Sequence, residues 1–133
     1  MKSCKIKAFT LTELLVVLII VGILMLIAMP KLMPLITKAK SVEAKQHLTH
    51  LHTLQKSYFY MNSKYTDDFD ELGYIPEALV TDGGSANYLI EVTEANHNGF
   101  IATAEAVVDF NGNGVYNKWQ INQDKKLIEI VKD

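Results

Sequence analysis

The chain has no arginine and a single cysteine, Cys4. Without arginine, and with a formal net charge of −2, it lacks the basic, guanidinium-rich patch that nucleic-acid binding favours. One cysteine cannot close an internal disulfide, and Cys4 stands too early to follow the apolar run of a lipoprotein signal. Catalytic motifs are also missing. There is no nucleophile elbow, phosphate loop or Cys/His pair, and Ser85 after Gly83-Gly84 lacks the G-x-S-x-G frame. The sequence therefore points away from an enzyme.

What is present is one long uncharged run. Leu14 to Met29 holds sixteen residues with no ionisable side chain, and Lys2, Lys5 and Lys7 precede it. As a helix, Phe9 to Pro30 spans about 33 Å, enough for a hydrocarbon core of about 30 Å. Thr10 and Glu13 make the T-x-x-E capping box, which starts a helix near Thr10. Glu13 carries two readings. It caps the helix and favours its positive end, and it waits at the edge of an apolar span for a cationic partner. An ordinary signal peptide fits less well, because Ala28 is followed by Pro30 and no A-x-A site stands there. Lysines on both sides of the run leave the topology open.

The segment Lys7-Ala8-Phe9-Thr10-Leu11-Thr12-Glu13 resembles the processing site of type IV pilins and of the pseudopilins of type II secretion. That family has a short basic leader, a cut before Phe and a Glu at the fifth mature position. Phe9 and Glu13 match, and Ala8 stands where the family usually has Gly. The resemblance implies a leader at 1–8 removed by a prepilin peptidase and N-methylation of Phe9. It implies an assembly half of the helix at 9–34 using Phe9, Glu13, Gly22 and Pro30, and a soluble head at 35–133. It also implies a single-pass protein of the bacterial inner membrane with its head outside. From there it would enter an extracytoplasmic fibre of itself with related minor pilins or pseudopilins, through an inner-membrane assembly platform and in contact with lipid. Loss of the leader lysines leaves ten lysines against fifteen acids, a net charge of −5 before the termini are counted. No nucleic-acid partner is expected. The missing cysteine staple leans toward a type II secretion pseudopilin. The rival readings are a type IV pilus subunit for adhesion, motility or DNA uptake, and a membrane-anchored binding module.

Pro30 reads either as a kink or, by the resemblance, as a stretch that loosens on packing. From 35 to 61 the pattern becomes amphipathic. Ala44, Leu48, Leu51, Leu54 and Tyr58 form one stripe suited to lie on a sheet, with Val42, Gln46, Thr49, Thr53 and Tyr60 opposite. His47 and His50 have metal-pair spacing but no cysteine or acid to complete a site, so these and His52 are expected at the surface or the stripe edge. The loop at 62–86 carries Asp67, Asp68, Asp70 and Glu71, read as solvating a short turn of helix rather than holding a cation. Tyr65, Phe69, Leu72 and Tyr74 should pin it to the core.

Strands are expected at Tyr88–Val92, Phe100–Ala106, Tyr116–Ile121 and Leu127–Val131, with a hairpin turn at Asn96-His97-Asn98-Gly99. The fold class is α+β and pilin-like: one long N-terminal helix on an antiparallel sheet of about four strands. Asp109-Phe110-Asn111-Gly112-Asn113-Gly114 matches D-x-N-x-N-G, the first half of a calcium loop. Gln120 replaces the closing Glu, so a site would need Asp109, Asn111, Asn113 and an added acid such as Asp124. A plain Asn-Gly turn explains the same residues. The resemblance adds that major pseudopilins bind calcium in a C-terminal loop.

Overall fold

The computed structural model describes residues 8–133; the expected leader residues Lys2, Cys4, Lys5 and Lys7 lie outside the described part. Helix α1 runs Leu11–Asn62 and stays helical through Gly22, Pro30 and Pro34. The chain divides into two units within it, Met1–Met33 and Pro34–Asp133.

In the first unit no described residue is buried up to Leu32. Its leucines, isoleucines and valines face outward on every side of the helix. An all-round apolar helix has no stripe with which to choose a partner face. It is the one helix among the described residues long and apolar enough to cross a membrane.

In the second unit α1 buries one face. Ala44, Leu48 and Leu51 are fully buried, with Leu54 and Tyr58 partly buried beside them. They pack against a four-stranded antiparallel sheet of order β1-β2-β3-β4: Tyr88–Ala95, Phe100–Ala106, Lys118–Asn122 and Leu127–Val131. Each strand pairs only with its neighbour in sequence. Strand β2 sends Phe100, Ala102, Ala104 and Ala106 inward at alternate positions. Three alanines in that row leave room for the larger helix side chains to fill at interior density. The architecture is α+β, a long N-terminal helix on a four-stranded antiparallel sheet.

The connection between α1 and β1 is held at several points. Asp68 caps the short helix α2, Phe69–Leu72, through the amides of Asp70 and Glu71. Leu72, Tyr65 and Tyr74 are buried, and Phe69 packs against the same cluster. Gln55 is fully buried, and its amide exchanges two hydrogen bonds with the backbone of Thr66.

Two strand limits differ from the sequence expectation. β1 continues to Ala95 because a bulge between Val92 and Glu94 absorbs the break in its alternation. β3 begins at Lys118, not Tyr116; Asn117 before it keeps one backbone bond to β2, its carbonyl accepting from the Ala106 amide, while its side chain turns to partners described below.

Candidate functional site

Three places carry the residues singled out in the sequence. The first is the start of α1. Thr10 and Glu13 form a reciprocal cap. The Thr10 amide donates to Glu13 Oε2 at 2.8 Å, and the Glu13 amide donates to Thr10 Oγ1 at 3.2 Å. The Thr10 hydroxyl also donates to Oε2, at 2.9 Å. Both hydrogen bonds to the Glu13 carboxylate fall on Oε2, and among the described residues no cation pairs with it. Ala8 and Phe9 precede the helix, and the Phe9 ring is 84 % exposed. Gly22 and Pro30 lie on the bare helix, and a Cβ at Gly22 would meet nothing.

The second place is the loop after β2. Asp109 Oδ1 accepts from the amides of Asn111 and Gly112 at 3.1 and 2.6 Å, and Oδ2 accepts from Gly114 at 2.6 Å. Asn111 Oδ1 accepts from the Asn113 amide at 2.9 Å, and Asn113 Oδ1 from Val115 at 2.7 Å. The Gly114 amide, then those of Gly112 and Asn111, hold the Asp109 carboxyl below the usual carboxylate range; the little burial present opposes them. Gly112 and Gly114 sit at φ of 78° and 83°, where a side chain would be strained.

As a calcium site the loop is a partial match. Three oxygen-bearing side chains stand at alternate positions, and Asp109 Oδ2, Asn111 Oδ1 and Asn113 Oδ1, each accepting one amide, keep a further lone pair. Gln120 is held in β3, opposite Thr103 and Ile128. Asp124 is not brought to the loop. It lies in the turn after β3, whereas the loop precedes β3, so the five-residue strand of about 17 Å separates them. The acid that does arrive is Asp133, whose Oδ2 accepts from the Phe110 amide at 3.1 Å. No group of three His, Cys, Asp or Glu side chains suited to a metal occurs among the described residues.

The third place is the histidine stretch. His50 is exposed and His47 half-buried, with Nδ1 3.1 Å from the Tyr74 hydroxyl. His52 corrects the surface expectation. It is 8 % exposed, and its Nε2–H donates to the Gln123 carbonyl at 3.2 Å. Burial lowers its pKa, aided by Lys56 and Lys125, while the carbonyl opposes the shift. Partners 71 residues away in sequence put it inside.

Residues 4–29 match the family model described as the prokaryotic N-terminal methylation motif. Over 71 residues the chain is 42% identical to a type IV major pilin protein, PilA, of Myxococcus xanthus (strain DK1622). In these stretches the chain is similar to type IV pilins. The similarity takes in 53% of this chain and 32% of the Myxococcus protein, about a third of that relative's length.

Two polar residues of the second unit gave no signal in the sequence. Asn117 is fully buried with four partners. It accepts at Oδ1 from the Tyr88 hydroxyl (2.8 Å) and the Trp119 indole (2.7 Å), and donates from Nδ2 to Glu129 (2.8 Å) and the Val131 carbonyl (3.0 Å). It ties the end of the 109–114 loop to three strands. Glu43 on α1 grips both the amide and the side chain of Asn87 at 2.6 and 2.7 Å, fixing the entry to β1.

Proposed function

We propose that this chain is the structural subunit of a helical fibre, held in a membrane by the first half of α1 and assembled through that half. The observation that carries the reading is the bare helix Leu11–Met29 with one carboxylate, Glu13, tied among the described residues to Thr10 alone. A soluble monomer does not keep so large a contiguous apolar surface in water. In lipid, or in a bundle of like helices, the same surface is at home.

Glu13 supplies the direction of assembly. A cut between Ala8 and Phe9 by a prepilin peptidase frees an ammonium at Phe9. In low dielectric, that ammonium and the Glu13 carboxylate of an adjacent copy attract strongly, which sets the axial register. The capping bonds to Oε2 leave Oε1 open for this partner. N-methylation of Phe9 would keep the positive charge. The other partners of this reading are related minor pilins or pseudopilins, an inner-membrane assembly platform and lipid. Its location is the inner membrane, head outward, before the fibre.

Two machines use such a fibre. The Myxococcus relative is a type IV major pilin, which favours a pilus. The absence of a cysteine pair in the head and the Asp109-to-Gly114 loop favour a type II secretion pseudopilus. In that second machine, calcium would be held by Asp109, Asn111 and Asn113 with Asp133 alongside. With one carboxylate inside the loop, the affinity would be low.

The deciding experiment is Glu13→Ala in the cell that makes the fibre. The variant should be processed, with an intact mass beginning at Phe9, and should stay in the membrane without forming fibres. Normal fibres from it would remove Glu13 from assembly, and a parent protein that retains Met1 to Ala8 would remove the processing step.

A further inference from the structure

Within the second unit a cavity of about 430 Å³ lies between α1 and the β3–β4 end of the sheet. Thr37, Lys38 and Lys45 line it from the helix, and Trp119, Lys132 and Asp133 from the sheet side. Its size is that of a small-ligand pocket. The wall carries both signs of charge, and each sign has groups left over. Among the described residues no carboxylate comes within ion-pair distance of Lys38, Lys45 or Lys132; the one ion pair is Lys118–Glu105. Lys45 rests 4.3 Å from the centre of the Trp119 ring, which leaves Lys38 and Lys132 for a ligand. On the acidic side, Glu129 accepts from Asn117, and Asp133 Oδ2 accepts from the Phe110 amide. Asp133 Oδ1 is buried without a partner, and so is the hydroxyl of Thr37, a residue only 4 % exposed. Polar atoms buried without partners are costly.

The leftover groups define the ligand. An ionised carboxylate oxygen only accepts, a lysine ammonium only donates, and a hydroxyl can do either. A plain anion would meet Lys38 and Lys132 but also Asp133 Oδ1, which repels it. A plain cation would suit Oδ1 and be repelled by the lysines. A zwitterion whose positive end carries N–H groups satisfies all four. Its source follows from the surface of α1. Leu32, Leu35 and Ile36 remain exposed, so the apolar surface of the helix runs up to the residue before Thr37. Headgroups lie at the edge of a bilayer's hydrocarbon core. Where such a surface enters lipid, the zwitterions within reach are phospholipid headgroups.

We propose that the cavity between α1 and the β3–β4 end binds the phosphoethanolamine headgroup of a membrane phospholipid. The phosphate takes Lys38, Lys132 and the Thr37 hydroxyl, and the primary ammonium donates to Asp133 Oδ1. Lys45 stays over Trp119 and closes the wall. The inference rests on the membrane reading of α1 and adds to it a lipid held by the head.

The test uses the full chain in detergent micelles, titrated with short-chain phosphatidylethanolamine. Binding is followed by the fluorescence of Trp119, the sole tryptophan, which lines the cavity. The change should saturate. Phosphatidylglycerol, which has no ammonium, and phosphatidylcholine, whose ammonium has no N–H, should each need about tenfold more lipid. Lys132→Ala and Asp133→Ala should each weaken binding about tenfold, and Lys118→Ala, whose lysine pairs with Glu105 instead, should leave it unchanged. Lys38 and Lys132 are exposed, so Lys38→Ala serves as a second variant, and thermal melting checks that each one stays folded. Equal response to phosphatidylglycerol or to phosphatidylcholine overturns the zwitterion site. Free phosphoethanolamine binding as tightly as the lipid overturns the membrane source. A flat Trp119 signal, with no phosphatidylethanolamine retained by the chain in native mass spectrometry, leaves the cavity to solvent and overturns the proposal. Release of the chain from cell membranes by alkaline carbonate removes the membrane reading itself, whatever the cavity binds.

Discussion

The two halves of α1 are one helix by backbone and two different objects by surface. Between Leu14 and Met29 every leucine, isoleucine, valine and methionine is at least 41 % exposed, whereas Ala44, Leu48 and Leu51 further along are at 0 %. The second half gains its stability from packing on a sheet, as most helices in folded domains do. The first half has no such support. Its apolar surface waits for an environment, and its single carboxylate breaks the rule that such a surface carries no charge. The contrast separates what folds the head from what would assemble the proposed fibre.

Truncating equivalent leucines on the two halves should therefore have unequal effects on unfolding. Leu48→Ala should destabilise the head by about 2–5 kcal/mol, because it opens a cavity in a filled core. Leu18→Ala should leave the unfolding of the head almost unchanged. Chemical denaturation of the detergent-solubilised full chain, followed by Trp119 fluorescence, measures both; similar shifts would erase the distinction between the halves. Asn117→Ala should cost the head about 1–3 kcal/mol, since it leaves the Trp119 indole and Glu129 without their shared partner. A loss close to zero would mean water replaces the side chain.

Smaller effects sharpen the comparison within the head. If the 109–114 loop holds calcium, adding the ion should raise the head's melting temperature by a few degrees, on the order of 1 kcal/mol. Asp109→Ala should abolish the rise. Identical curves with calcium and with chelator leave a plain Asn-Gly turn.

The smallest effect expected is that of acid on His52. Its pKa is lowered in the folded head, so the stability it contributes is fully present above the unfolded value of 6.5. That contribution is lost as pH falls from there through the folded value, because the unfolded chain takes the proton first. Melting at pH 7 and pH 5 should show a modest decrease that His52→Gln reduces. An unchanged decrease would assign it to other groups.

The parts of the fold legible in sequence were those written as local patterns. The capping box at Thr10 and Glu13, the stripe from Ala44 to Tyr58 and the limits of β2 and β4 depend on neighbours within a few residues. Asn117 and His52 were hidden because, Trp119 apart, their partners come from other elements 12 to 71 residues away. A lone Asn before a strand reads as a turn residue until Tyr88, Trp119 and Glu129 close around it. Among the site residues, Ala8, Phe9 and Glu13 were legible because the motif is contiguous. Asp124 was chosen for its charge alone, and chain direction through β3 carries it away from the loop while bringing Asp133 to it.

The strand order also has a kinetic consequence. Every ladder joins consecutive strands, so no pairing waits for a distant segment to be made. The closures are short: four residues between β1 and β2, four between β3 and β4, and the 107–117 loop between β2 and β3. Short closures cost little chain entropy and favour rapid folding. The sheet can grow one hairpin at a time, and the slow event left is its landing on Leu48 and Leu51, some forty residues before β1 begins.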